Sequence, residues 1–156
     1  MNKNEQLIHL FYSSFQSRDV KTMQACYGDD ATFSDPVFNG LNAKEVCAMW
    51  EMLLKSGKDL RIEFGNVRAS QHGATANWDA YYTFSTTGNK VVNRITASFT
   101  IEHGKIVKHQ DNFSFYTWSK QALGITGLLL GWTGYLKRKI RTKARKNLDA
   151  YMMLKD

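Results

Sequence analysis

Between residues 60 and 116 apolar side chains recur at every second position, in four runs parted by short polar turns. Such alternation marks strands with one buried face. It predicts strands over 60–67, 74–86, 91–102 and 105–116, joined as a meander by turns at 71–73, 87–89 and 103–104. Before residue 57 the spacing is three and four instead. Leu7, Ile8, Phe11, Tyr12 and Phe15 form the stripe of a first helix that ends near Arg18, and Asp19 caps a short second helix reaching Tyr27. Asn42 and Glu45 make a capping box for a third helix, which turns Val46, Met49, Trp50, Leu53 and Leu54 inward and stops by Gly57. A short strand over 31–35 lies between the second and third helices, closed by Pro36. Helices first and an antiparallel sheet afterwards predict an α+β fold: three N-terminal helices on a curved four-stranded sheet with one short extra strand.

The last strand carries the chemistry. Val107, His109, Asp111, Phe113 and Phe115 share one face, while Lys108, Gln110, Asn112 and Ser114 share the other. The first face is the apolar one, so an imidazole and a carboxylate go indoors. A buried carboxylate costs several kcal/mol unless it is paired or hydrogen-bonded, roughly. His109 and Asp111 are therefore either a satisfied core pair or the floor of a pocket. On the two preceding strands Trp78, Ala80, Tyr82 and Phe84 point one way, as do Asn93, Ile95, Ala97, Phe99 and Ile101. A sheet curving these faces toward the helices gathers Tyr12, Phe15, Phe33, Trp50, Trp78, Tyr82, Asn93 and Phe113 as the lining of a ligand pocket around Asp111. Asp35, held in extended backbone by Pro36, is a second candidate acid or base, or simply an Asx-type cap for the turn.

Charge changes the picture only at the C-terminus. Of twenty-one Lys and Arg, seven fall in 137–146 without an acid, and the remaining fourteen balance fourteen Asp and Glu. The body is neutral, which argues against nucleic acid as a partner. Residues 121–136 carry no charge, yet sixteen residues with four glycines fall short of a membrane span. Gly124, Gly127, Gly131 and Gly134 make one smooth helix face, suited to close packing on another helix. Ile140, Ala144, Leu148 and Met152 recur every fourth residue among the cations, a basic amphipathic helix. Three fates are open to the segment 121–156: an anionic membrane surface, nonspecific phosphate binding, or docking on its own domain or a sister subunit. The division expected is a domain over 1–118 and a helical extension over 119–156.

Cys26 and Cys47 stand outside any CxxC spacing and read as free core thiols of a reducing compartment. The first six residues hold no apolar stretch of a signal peptide, so the cytoplasm is expected. His9, His72, His103 and His109 lie on separate elements without ligand spacing, and no Gly-rich phosphate loop occurs, so neither metal nor cofactor is expected.

Three helices, a curved sheet, the segment Phe33-Ser34-Asp35-Pro36 and the run from Gly104 to Asp111 together resemble the nuclear transport factor 2-like superfamily, and within it SnoaL-like and ketosteroid-isomerase-like bacterial proteins. The resemblance covers roughly residues 5–118 and implies a cone-shaped α+β fold and a homodimer formed through the outer sheet face. It implies that Asp35 is similar to the proton-shuttling Asp of ketosteroid isomerases. Their oxyanion-hole positions, however, fall on Phe11, next to Tyr12, and near Ala97, so that hole is dismantled. In limonene epoxide hydrolases an Arg and Asp pair works with a last-strand Asp; Asp111 matches the latter, but the pair reads Trp78 and Ala80. SnoaL-like cyclases imply a last-strand Asp as general base, which Asp111 fits with His109 as the partner that protonates or hydrogen-bonds the enolate oxygen. The expected function is cofactor-free acid/base catalysis, of isomerase or aldol-cyclase type, on a small apolar carbonyl or hydroxyl compound. The alternatives are a non-catalytic binder of an apolar, lipid-like ligand and a membrane- or partner-docking module driven by the tail.

Overall fold

Asn2 sets the first element by a capping box in which its side chain accepts the Glu5 N–H at 2.8 Å and the Glu5 carboxylate accepts the Asn2 N–H at 3.3 Å. The computed structural model describes residues 1–155. Helix α1 (Lys3–Gln16) buries Ile8, Phe11, Tyr12 and Phe15 as its stripe requires. Asp19 caps α2 (Val20–Ala25), which is shorter than the sequence suggests. Tyr27 is released from it to open a long strand, β1 (Tyr27–Ser34), which a two-residue strand, β2 (Leu41–Asn42), flanks. The second box holds α3 (Ala43–Ser56) at its start, with Asn42 and Glu45 exchanging bonds of 2.9 and 3.0 Å. Asn42→Ala should therefore destabilise the protein by about 1 kcal/mol, read as a lower urea midpoint at unchanged slope.

The meander follows as β3 (Arg61–Ala69), β4 (Gly73–Phe84), β5 (Asn89–Glu102) and β6 (Lys105–Asn112). All six strands form one sheet in the order β2-β1-β6-β5-β4-β3, in which β1 runs parallel to β6 and the other neighbours are antiparallel. The sheet thus has two strands beyond the four of the meander, because the extended segment before Pro36 is long enough to pair along β6. A register shift places Ile101 opposite Ile106 and Thr100 opposite Lys108, so Val107 bulges. The bulge corrects the expected face at its start: Ile106 is fully buried and Val107 only partly so. Beyond it His109 and Asp111 point into the core as alternation requires.

A second correction concerns the strand's end. Ser114 accepts the Thr117 N–H at 3.1 Å and starts α4 (Phe115–Leu123), so Phe115 and Tyr116 are helical and the expected division after residue 118 falls inside a helix. Gly124, at φ +63°, breaks α4 from a short α5 (Ile125–Leu130), and α6 (Gly134–Lys155) runs back across α3. Leu148 is fully buried in the main core, Arg145 pairs with Glu45, and Glu51 accepts the Tyr151 hydroxyl and the Lys155 ammonium, each at 2.6 Å. Those bonds, with a further one from Lys55, hold the Glu51 carboxyl down at about 2 despite its partial desolvation. Of the fates open to the amphipathic stripe, docking on its own domain is the one observed. Among the described residues no helix is long and apolar enough to cross a membrane.

Candidate functional site

Five side chains from four elements form one hydrogen-bonded chain across the core. The Trp50 indole of α3 donates to the Tyr27 hydroxyl at 2.9 Å, which lies 2.8 Å from His109 Nδ1; His109 Nε2 lies 2.8 Å from Asp111 Oδ1. An indole can only donate, so Tyr27 accepts from Trp50; an ionised Asp111 can only accept, so a neutral His109 spends its one N–H on Asp111 and accepts the Tyr27 O–H at Nδ1. This places the imidazole proton on Nε2, which donates to Asp111. The Trp78 indole donates to the same Oδ1 at 3.4 Å. Rings clamp the imidazole on every side: Phe99 at 4.3 Å, Phe33 at 4.9 Å and Phe11 at 5.8 Å between centroids. His109 is 1% and Asp111 2% exposed.

Asp111 nevertheless borders open space. A cavity of about 240 Å³ lies between α3, the turn after β1, the inner face of β4 to β6, and α4. Met49, Trp50, Met52 and Leu53 form its helical wall; Trp78, Ala80, Tyr82, Asn93 and Ile95 form its sheet wall; Val37, Phe38, Phe113 and Trp118 close the sides, with exposed Ser56 at the rim. Only Asp35, Asp111, Asn93, Tyr82 and Ser56 bring polar side-chain oxygen or amide groups to this apolar lining. Both side-chain bonds to the Asp111 carboxylate end on Oδ1 and none among the described residues reaches Oδ2, which leaves Oδ2 as the atom for the cavity. Tyr82 accepts from the Trp118 indole at 2.7 Å, so its own hydroxyl proton is free to be donated. Burial raises the Tyr82 pKa, with the Trp118 bond opposing.

Asp35 is both a turn cap and a cavity wall. Its Oδ1 accepts the N–H groups of Val37 at 2.7 Å and Phe38 at 2.6 Å, the Asx turn that Pro36 calls for. Burial pushes its carboxyl up to about 6 against the pull of those two bonds, and the charge of Asp111 adds to the rise. The cavity is thus faced by two acids in unlike surroundings.

Of the residues expected at the pocket, Trp50, Trp78, Tyr82, Asn93 and Phe113 stand at the cavity wall with Asp35 and Asp111. Tyr12, Phe15 and Phe33 do not; the ring cluster behind Trp50 and Trp78 absorbs them into the core. The Tyr12 hydroxyl is buried and has no hydrogen-bond partner among the described residues, and burial drives its pKa well above the usual phenol value. His109 also stands behind the wall, with both ring nitrogens engaged, which corrects the expectation that it meets an enolate oxygen. Sequence reasoning missed Tyr27, the central link. Its signal was the odd-numbered apolar series Tyr27, Ala31 and Phe33, obscured by a break in the β1 register between Tyr27 and Thr32. Trp118 was missed because the strand pattern was read through the helix start. Among the described residues no three His, Cys, Asp or Glu side chains group as metal ligands. Cys26 is a buried free thiol pushed up to about 11 by desolvation.

A model of the SnoaL-like domain matches residues 8–109, ending two residues before Asp111. TerC, co-crystallized with polyporic acid, superposes with a TM-score of 0.67 at 14% identity, over 77% of this chain and 98% of its own. IdmH from Streptomyces antibioticus, a candidate polyketide cyclase, gives 0.67 at 17% identity, over 80% of this chain and 100% of its own. An LEH-like epoxide hydrolase of M. tuberculosis gives 0.64 at 17% identity, over 82% and 96%. At these identities the likeness is one of fold. Among curated proteins no sequence matches this chain.

Proposed function

We propose, from the premise that this chain belongs to the SnoaL-like domain family of the nuclear transport factor 2-like superfamily, that its cavity binds a small apolar carbonyl compound and moves a proton on it. The observation carrying this reading is a carboxylate on the floor of a largely apolar cavity, held from behind through Oδ1 by an imidazole and an indole. Oδ2 removes a proton from the carbon next to the carbonyl. The Tyr82 hydroxyl donates to the oxygen on which the electron pair collects, as an oxyanion donor does. Asp111 then returns its proton to another carbon, an isomerisation, or the enolate carbon attacks a second carbonyl and the proton goes to the new alkoxide, an aldol cyclisation. Asn93 is a second polar contact for the ligand. Asp35, whose carboxyl is pushed up to about 6, is a second acid. His109 is a positioning residue in this scheme.

Size narrows the ligand. An apolar cavity of about 150 Å³ takes one benzene, so 240 Å³ suits a ring with a few substituents. TerC, with its polyporic acid, and IdmH support a cyclic compound as the class to try first. The outer sheet face, where Arg94 pairs with Asp79 and Arg61 packs on Tyr81, is the surface we assign to a homodimer. The binding half of the reading is tested by titrating small cyclic ketones and phenols into protein observed by NMR. Shifts should appear at Trp78, Asn93 and Phe113, and Ala80→Leu, which fills the cavity, should weaken binding at least about tenfold at unchanged fold. Undiminished binding by the Ala80→Leu protein would place the ligand elsewhere.

A further inference from the structure

The C-terminal helices carry a surface that the cavity reading does not use. Helix α5 is built inside out. A Cβ on Gly127 would fall 1.8 Å from the Ser119 carbonyl oxygen, and one on Gly131 would fall 2.2 Å from Ser119 Oγ, so this segment presses on α4 with its backbone. Its large side chains go the other way. Ile125 and Trp132 are 76% exposed, Leu129 62% and Leu128 52%. No residue from 121 to 136 is charged, and no acid occurs anywhere between Asp111 and Asp149.

Tyr135, 61% exposed, joins this apolar tip to a shallow groove on α6 that it lines with Arg138, Lys139, Lys143 and Lys146. The groove follows a face other than the stripe docked on α3. Among the described residues the ion pairs of α6 use Arg145 and Lys155, and none of the four groove cations meets an acid. Contiguous apolar surface of this kind marks an interaction site. Charge complementarity decides which: uncharged aliphatic side chains, then Trp and Tyr, then an acid-free run of cations, match in order the acyl boundary, the interface and the phosphates of an anionic bilayer.

We propose that α5, Trp132 and the groove face of α6 dock the protein on the surface of an anionic membrane. The assignment is independent of what the cavity binds. The test is flotation of the full chain with vesicles of phosphatidylcholine alone or mixed with phosphatidylglycerol, at low and high salt, beside analytical ultracentrifugation without lipid. Binding is expected to the mixed vesicles only and to weaken with salt. The double variant Leu129→Asp/Trp132→Asp should lose binding, and Lys139→Gln/Lys143→Gln/Lys146→Gln should weaken it about a hundredfold. All five are exposed positions, so circular dichroism should be unchanged. Lack of binding to either vesicle, or equal binding to both at all salt concentrations, overturns the proposal. So does self-association that the Leu129→Asp/Trp132→Asp change abolishes in protein that ignores vesicles, which would assign the patch to a second copy.

Discussion

Asp111→Asn is expected to lower turnover by about a hundred- to ten-thousandfold while the fold and the ligand's affinity stay nearly unchanged. The asparagine carbonyl oxygen can still accept the His109 and Trp78 N–H groups that now converge on Oδ1. What it loses is the basic oxygen facing the cavity. Asp111→Leu should behave differently, because it strands two buried N–H donors and costs about 2–5 kcal/mol of stability. Comparing the two by urea unfolding and by steady-state rate separates the chemical role from the structural one. Equal turnover by wild type and Asp111→Asn on a compound both bind would reduce the site to a binding pocket.

Asp35→Asn should stabilise the protein above about pH 7 by as much as about 3 kcal/mol. The Asp35 carboxyl lies at about 6 in the folded protein against an ordinary 3.8. A raised carboxyl gives stability that is fully present below the unfolded value and is lost as pH rises through the folded one, so wild-type stability should fall between 3.8 and about 6. Asparagine keeps the Oδ1 that accepts from Val37 and Phe38, so the turn survives without the partly desolvated charge. Unfolding free energies measured across this range should slope for wild type and flatten for the variant. Parallel curves would mean that Asp35 is better solvated than its place on the cavity wall implies.

Where one periodicity dominated, the residues spoke plainly. The alternation along Trp78 to Phe84 and Ile95 to Ile101 gave the inward faces of β4 and β5, and Asn42 with Glu45 gave the start of α3. The sequence became ambiguous where two patterns overlap. Phe113, Ser114 and Phe115 continue the alternation of β6, yet Ser114 is a helix cap without an acid three residues on to announce it. That ambiguity hid Trp118, and with it the wall that engages Tyr82. Tyr27 was hidden by the register break in β1, and its hydroxyl finds Trp50 and His109 only once β1 has paired with β6. The pocket's depth could not be read either: Phe33 stands two residues before the lining Asp35, and Tyr12 and Phe15 pack directly on Trp78 or Trp50, so a single layer of rings separates these three from the cavity.

The direction of the Trp50, Tyr27 and His109 bonds has a consequence for what leaves the site. Every hydrogen in that series points at Asp111, and the series begins in an indole that cannot take one up. The core behind the acid is a blind alley for protons. Whatever Oδ2 collects must go back out the way it came, to the guest molecule or to water at the rim, which favours reactions that return what they borrow over those that consume a base.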